Sequence, residues 1–245
     1  MKKILLALVI LLLAGYFVLA YFMGSIVKTG VNRFGPKVTK TTVVLDSASL
    51  SPLSGTGTLK GLTVGNPPGW TSERAFYLGQ VHIVMHPMSV FSDHIDIDEI
   101  TIDQPEFTYE TKIVSSNIKD LLKNIEDFAG GGDKATTKSG KEIKLVVKKL
   151  RLTNGKAILG LGPTAIPLPL PTIALDDLGV KEGGITPDQM AGAVMKQVLG
   201  QIVTASASAL TKVGGTAGAG AANAATDAAK KAGEGIKSLF GGKKP

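Results

Sequence analysis

An uncharged apolar run from Ile4 to Met23 dictates most of what this chain can be. About 20 such residues, at 1.5 Å per residue, form a helix that crosses a hydrocarbon core of about 30 Å. In lipid, a lone segment satisfies its own N–H and C=O groups only as a helix. Tyr16, Phe17, Tyr21 and Phe22 gather toward one end, where aromatic rings favour the interface. Lys2 and Lys3 precede the run. Positive residues are held in the cytoplasm, which puts the N-terminus inside and the remainder outside. Lys28 and Arg33 lie beyond the aromatic belt, at headgroup level. The rival reading is a cleaved signal peptide, with Val18-Leu19-Ala20 as a small-residue cleavage site. The run exceeds the usual apolar region of about 7–15 residues and continues through Tyr21-Phe22-Met23, so a retained anchor is the expectation.

The chain has 245 residues, and the part beyond the anchor suffices for one modest domain plus tails. The net charge of +7 is concentrated between Lys134 and Arg151 and in the C-terminal tail. That pattern suits anionic lipid better than nucleic acid, which would also clash with the inferred compartment. No cysteine is present, which excludes disulfides, thiolate metal sites and a cysteine nucleophile.

From Lys37 the pattern turns to period-two alternation, through Val43 and Leu45. Strands are predicted over Thr56–Val64, stopped by Gly65-Asn66-Pro67-Pro68-Gly69, and over Ala75–Met85, stopped by His86-Pro87. Ile95, Ile97, Ile100 and Ile102 form a further apolar row whose phase slips at Asp98-Glu99, the mark of a β-bulge. Ser115 or Ser116 then caps a helix with Ile118, Leu121, Leu122 and Ile125 on one face, ended by Gly130-Gly131-Gly132. Residues 133–141 read as a polar loop. Strand pattern returns from Ile143 to Leu152, and Asn154-Gly155 predicts a type I′ hairpin with Ala157–Leu161 as the returning strand. The prolines at 167, 169 and 171 confine Ile166–Pro171 to an edge or a loop, with a short strand over Thr172–Leu175. Thr186-Pro187 opens an amphipathic helix striped by Met190, Val194, Val198, Ile202 and Val203.

The expected fold is α+β. A single transmembrane helix leads a curved, mainly antiparallel sheet with one or two packed helices and a low-complexity tail. The expected divisions are an anchor over 1–27, a β-rich body over 28–180, an amphipathic helix over 181–212 and an Ala/Gly/Lys-rich tail over 213–245.

The chemical motifs are weak. Gly55, Gly57 and Gly61 lack the strand–loop–helix context of a phosphate loop, and strand packing explains them better. His82 and His86, on one strand at about 3.3 Å per residue, lie too far apart to share a metal. Asp93, Asp96, Asp98, Glu99 and Asp103 lack the residue order of a calcium loop and read as a solvated strand face. No catalytic, cofactor or metal constellation is recognisable, and an enzyme is the least supported reading.

The segment from the anchor to about Asn117 resembles the N-terminal region of the AsmA family of bacterial envelope proteins. The resemblance rests on Gly30-Val31-Asn32-Arg33-Phe34-Gly35-Pro36, Val43-Val44-Leu45-Asp46, Leu50-Ser51-Pro52, and the stretch Gly55 to Pro67. It continues through Ile95-Asp96-Ile97, Ile100-Thr101-Ile102, Pro105 and Phe107-Thr108-Tyr109-Glu110. It implies a short member with an inner-membrane anchor, a periplasmic body and a role in envelope lipid homeostasis or transport. The partners it implies are the bilayer, phospholipid acyl chains and another envelope protein. In that reading Ile95, Ile97, Ile100 and Ile102 are the candidate lipid-facing row; the bland alternative is the domain's own core. A second reading is a non-catalytic scaffold subunit docking through the Met190–Val203 helix.

Overall fold

The structure is a computed structural model and describes residues 2–112, 115–131, 136, 140, 142–160 and 165–213. Most of the polar loop over 133–141 and the tail over 214–245 lie outside the described residues.

The first helix, α1 (Lys2–Thr39), runs unbroken for 38 residues, well past the apolar run. Its segment from Ile4 is long and apolar enough to cross a membrane, with a mean hydropathy of 2.7 and none of that window buried in the body. Lys40, at φ 54, closes it by donating to Pro36 O at 2.9 Å.

Nine strands then form one mixed sheet. They are β1 (Val43–Leu50), β2 (Thr56–Gly65), β3 (Arg74–Met85), β4 (Ile95–Asp103), β5 (Glu106–Tyr109), β6 (Leu145–Thr153), β7 (Lys156–Leu159), β8 (Ile166–Pro169) and β9 (Ile173–Leu178). The shorter strands lie end to end. β3 faces β4 along one half and β5 along the other. β6 runs parallel to β4, and β7 parallel to β5. β9 is antiparallel to β6, and β8 to β7. The remaining pairs, β1 with β2 and β2 with β3, are antiparallel. The prolines of β8 are accommodated because β8 pairs with β7 alone, on the edge. Within the described residues, β1 on one edge does not pair with β8 and β9 on the other.

The predicted bulge stands at Asp98: Val84 faces Glu99, but Met85 faces Ile97. The predicted hairpin at Asn154-Gly155 does not form. Asn154 has φ 54 but Gly155 is not in the left-handed region, whereas a type I′ turn needs both there. β7 therefore continues onward from β6 instead of returning along it, and pairs with β5 and β8.

That interruption belongs to a pattern crossing the whole sheet. Core-facing residues in a strand are normally two apart. Here the pairs Leu45/Ala48, Leu59/Leu62, Leu78/Val81, Ile102/Pro105, Leu152/Gly155 and Leu170/Ile173 are each three apart, with two outward residues between. The pairs are in register with one another: Leu45 faces Leu62, Leu62 faces Leu78, Ile102 faces Val81 and Leu152, and Leu152 faces Ile173. The extra residue is absorbed in left-handed backbone at Gly61 (φ 66), Gln104 (φ 54) and Asn154 (φ 54).

Helices α2 (Asn117–Ala129) and α3 (Pro187–Val213) complete the core. Ser116 caps α2, accepting from Lys119 N at 3.2 Å. Thr186 and Gln189 form a reciprocal capping box on α3. Ile118, Leu121 and Ile125 of α2 and Met195, Val198 and Ile202 of α3 join the inward residues of the sheet in one buried cluster.

Candidate functional site

Three regions bring polar or apolar groups together. The first lies between α2, α3 and the end of β9. It is a cavity of about 610 Å³ lined by Ile125, Ala129, Leu175, Leu178, Ile185 and Ala193, with Glu126, Lys144, Glu182, Asp188 and Lys196 among them. Ile125, Leu178 and Ile185 are buried, while Glu126 and Glu182 are exposed. Lys196 reaches Glu126 at 3.5 Å. Asp188, 4% exposed, carries an Oδ1 with no hydrogen-bond partner among the described residues. A buried carboxylate oxygen is a costly arrangement without a donor. The volume is within the range of about 300–1,000 Å³ usual for small-molecule sites.

The second region is a polar network at the start of α2. Glu110, 7% exposed, accepts from Thr71 N at 3.0 Å, Ser72 N at 2.7 Å, the Ser72 hydroxyl and Asn66 Nδ2 at 3.2 Å. Fully buried Asn117 donates to Asn66 Oδ1 at 2.8 Å and Thr108 O at 2.7 Å, and accepts from Glu110 N at 3.0 Å. Trp70 Nε1 donates to Asp120 at 2.9 Å, with the Lys112 ammonium 4.4 Å above the indole. Burial opposes ionisation of Glu110, but the Ser72 hydroxyl and the Thr71 and Ser72 amides outweigh it, so its carboxyl sits below the ordinary glutamate range. The network is satisfied internally. Its work is to clip the Asn66–Trp70 loop onto α2.

The third region is a groove of about 810 Å³ on the sheet's outer face, lined by Tyr77, Gly79, Gln80, His82, Thr101, Asp103, Gln104, Glu106, Asn154 and Lys156. It follows the line of doubled outward residues. Its charges are paired: Glu106 meets Lys156 and Arg74, each at 2.8 Å, and Lys156 foremost holds its carboxyl below the ordinary range. Asp103 accepts from Asn154 at 2.7 Å.

The residues singled out in the sequence are dispersed among these regions. Ile97, Ile100 and Ile102 are 6–7% exposed and belong to the buried cluster, with Ile95 half-buried at its margin. Asp98 is held below the ordinary range by Lys148 at 2.7 Å and by His86. His94 pairs with Asp96 at 3.0 Å, and among the described residues no three His, Asp or Glu side chains converge as metal ligands would. Gly55, at φ 70, sits where a Cβ would overlap Met85 O, and Gly61 sits against the Asp46 carboxyl; both are packing glycines. Sequence reasoning missed the cavity, whose walls come from residues 125–130, 142–144 and 175–196, and the Glu110 network, whose one local signal was the Asn-Pro-Pro-Gly-Trp loop.

Comparison with protein-family models, with curated proteins and with solved structures finds no match to this chain.

Proposed function

We propose that the chain is a membrane-anchored, AsmA-like envelope protein that binds a lipid acyl chain in the cavity between α2, α3 and β9. One observation carries the reading. The cavity combines apolar walls with lysine and carboxylate side chains, in a body attached to a helix fit to span a bilayer. Each CH₂ moved from water to apolar walls contributes about 0.8 kcal/mol, so even a partly sheltered chain binds. Lys144 suits a headgroup phosphate, and the exposed Glu182 suits a headgroup ammonium or hydroxyl. Lys2 and Lys3 orient α1 with the body in the periplasm, as a single-pass inner-membrane protein.

The test is mass spectrometry of protein purified in gentle detergent, compared with Ala193→Phe, which fills the cavity. The expected result is co-purified lipid with the native chain and little with the variant, at similar melting temperature. Lipid retained undiminished by a folded Ala193→Phe, or no lipid with the native chain, rejects the reading.

A further inference from the structure

One end of the sheet gathers the turn after β1, the connection from β3 to β4 and the turn after β9. Leu50 faces Gly57, Thr56 faces Val84, Met85 faces Ile97, and Leu178 faces Val147 beside the start of β6. The first two segments touch: Met85 N donates to Gly55 O at 2.9 Å, and Gly55 packs against Pro87. A short 3₁₀ turn over Pro87–Phe91 occupies the connection.

The first two segments project apolar side chains, with exposed Asp93, Lys181 and Glu182 at the margin of this end. Leu53 is 81% exposed, Met88 74% and Phe91 81%. Of the exposed large apolar side chains outside α1, Val90 and Val180 also lie here, leaving only Val44 and Ile166 elsewhere among the described residues. No charged residue occurs from Ser47 to Leu59 or from Pro87 to Ser92. Side chains of this size, exposed together on one rim, have no partner among the described residues.

The path of α1 says what covers them. The helix runs along β1 in the opposite direction, with Gly35 against Val43, Asn32 bonded to Leu45 and Gly24 against the Ala48 carbonyl. The Tyr16 hydroxyl meets Ser51 Oγ at 3.0 Å, level with the projecting rim. The apolar run ends at Met23. The rim is therefore about 10 Å inside the end of that run, at 1.5 Å per residue. Interfacial side chains bury to about 5–10 Å.

We propose that this rim is a second membrane contact, with Leu53, Met88 and Phe91 inserted in the leaflet through which α1 enters the body. The inference rests on the reading of α1 as an anchor. It makes the body a partly submerged object rather than one held clear of the bilayer.

The chain has no cysteine, so single-cysteine variants of the full protein report depth directly. Leu8→Cys, Leu53→Cys, Phe91→Cys and Glu73→Cys would carry an environment-sensitive fluorophore in phosphatidylethanolamine/phosphatidylglycerol vesicles. Glu73 is exposed near the opposite end of the sheet, where Gly65 faces Arg74. Quenchers attached to the lipid chains should reduce emission several-fold at positions 8, 53 and 91 and leave position 73 bright. Quenching at 8 with 53 and 91 as bright as 73 would overturn the rim contact and leave the anchor standing. No quenching at 8 would overturn the anchor and the rim together.

Discussion

Asn32 on α1 takes the amide hydrogen of Leu45 at 2.7 Å and gives one back to the Leu45 carbonyl at 3.4 Å, as a neighbouring strand would. One side chain thus completes the edge of β1 where Leu45 is fully buried. Asn32→Leu keeps the branched side-chain shape and leaves both backbone groups without the Asn32 partner. The expected cost is about 1–3 kcal/mol. Faster hydrogen exchange at the Leu45 amide in the folded variant is the local signature, and unchanged exchange would show that α1 does not guard the edge.

Glu110 predicts a specific acid response. Its folded carboxyl titrates below the unfolded one, so the stability it contributes is present above the unfolded value and is lost as pH falls through the folded value. Melting temperature followed downward from pH 6 should decline less steeply in Glu110→Gln than in the native chain. Glu110→Ala, which orphans the donors on Thr71, Ser72 and Asn66, should cost about 3 kcal/mol at neutral pH. Parallel acid limbs in the native protein and Glu110→Gln would show that Glu110 does not set the acid response.

Ile97 is 7% exposed within the main cluster. Ile97→Asp buries an unpaired carboxyl there and is expected to cost several kcal/mol, or to shift the new carboxyl strongly upward. A melting temperature close to the native value would mean that the isoleucine row opens onto something other than core.

Gln104 and Asn154 both hold φ 54, but asparagine tolerates left-handed backbone better than glutamine. Gln104→Gly should therefore raise stability by about 0.5–1 kcal/mol, offset in part by the freedom glycine loses on folding. Asn154→Gly should be nearly neutral before the loss of its bond to Asp103 is counted. Asn154→Val should destabilise by about 1–3 kcal/mol, because a β-branched residue resists that conformation. Thermal melts of the three variants in one detergent rank them.

These two residues also show where sequence reading stops. The bulge at Asp98 was legible because apolar isoleucines flank it and their phase visibly slips. Asn154-Gly155 carries the same local signal as a hairpin. The competing outcome depends on Phe107 and Leu168 receiving Ala157 on either side, and those contacts are long-range. Helix caps at Ser116 and Thr186 were readable from one or two residues, since capping is local chemistry. The cavity was not, because Lys144, Leu178 and Asp188 become neighbours only after β6, β9 and α3 are placed.

From Ile4 to Gly35 no proline interrupts α1, and its later part is pinned to β1 before Pro36 is reached. A body on a flexible tether samples a hemisphere of poses, and each encounter with the bilayer is a search. A body on a continuous helix has no such search. If α1 is the proposed anchor, the body's heading and height are set by the helix, a lipid ligand would travel a fixed route between leaflet and cavity, and inserting a flexible linker at Gly30 would replace that route with diffusion.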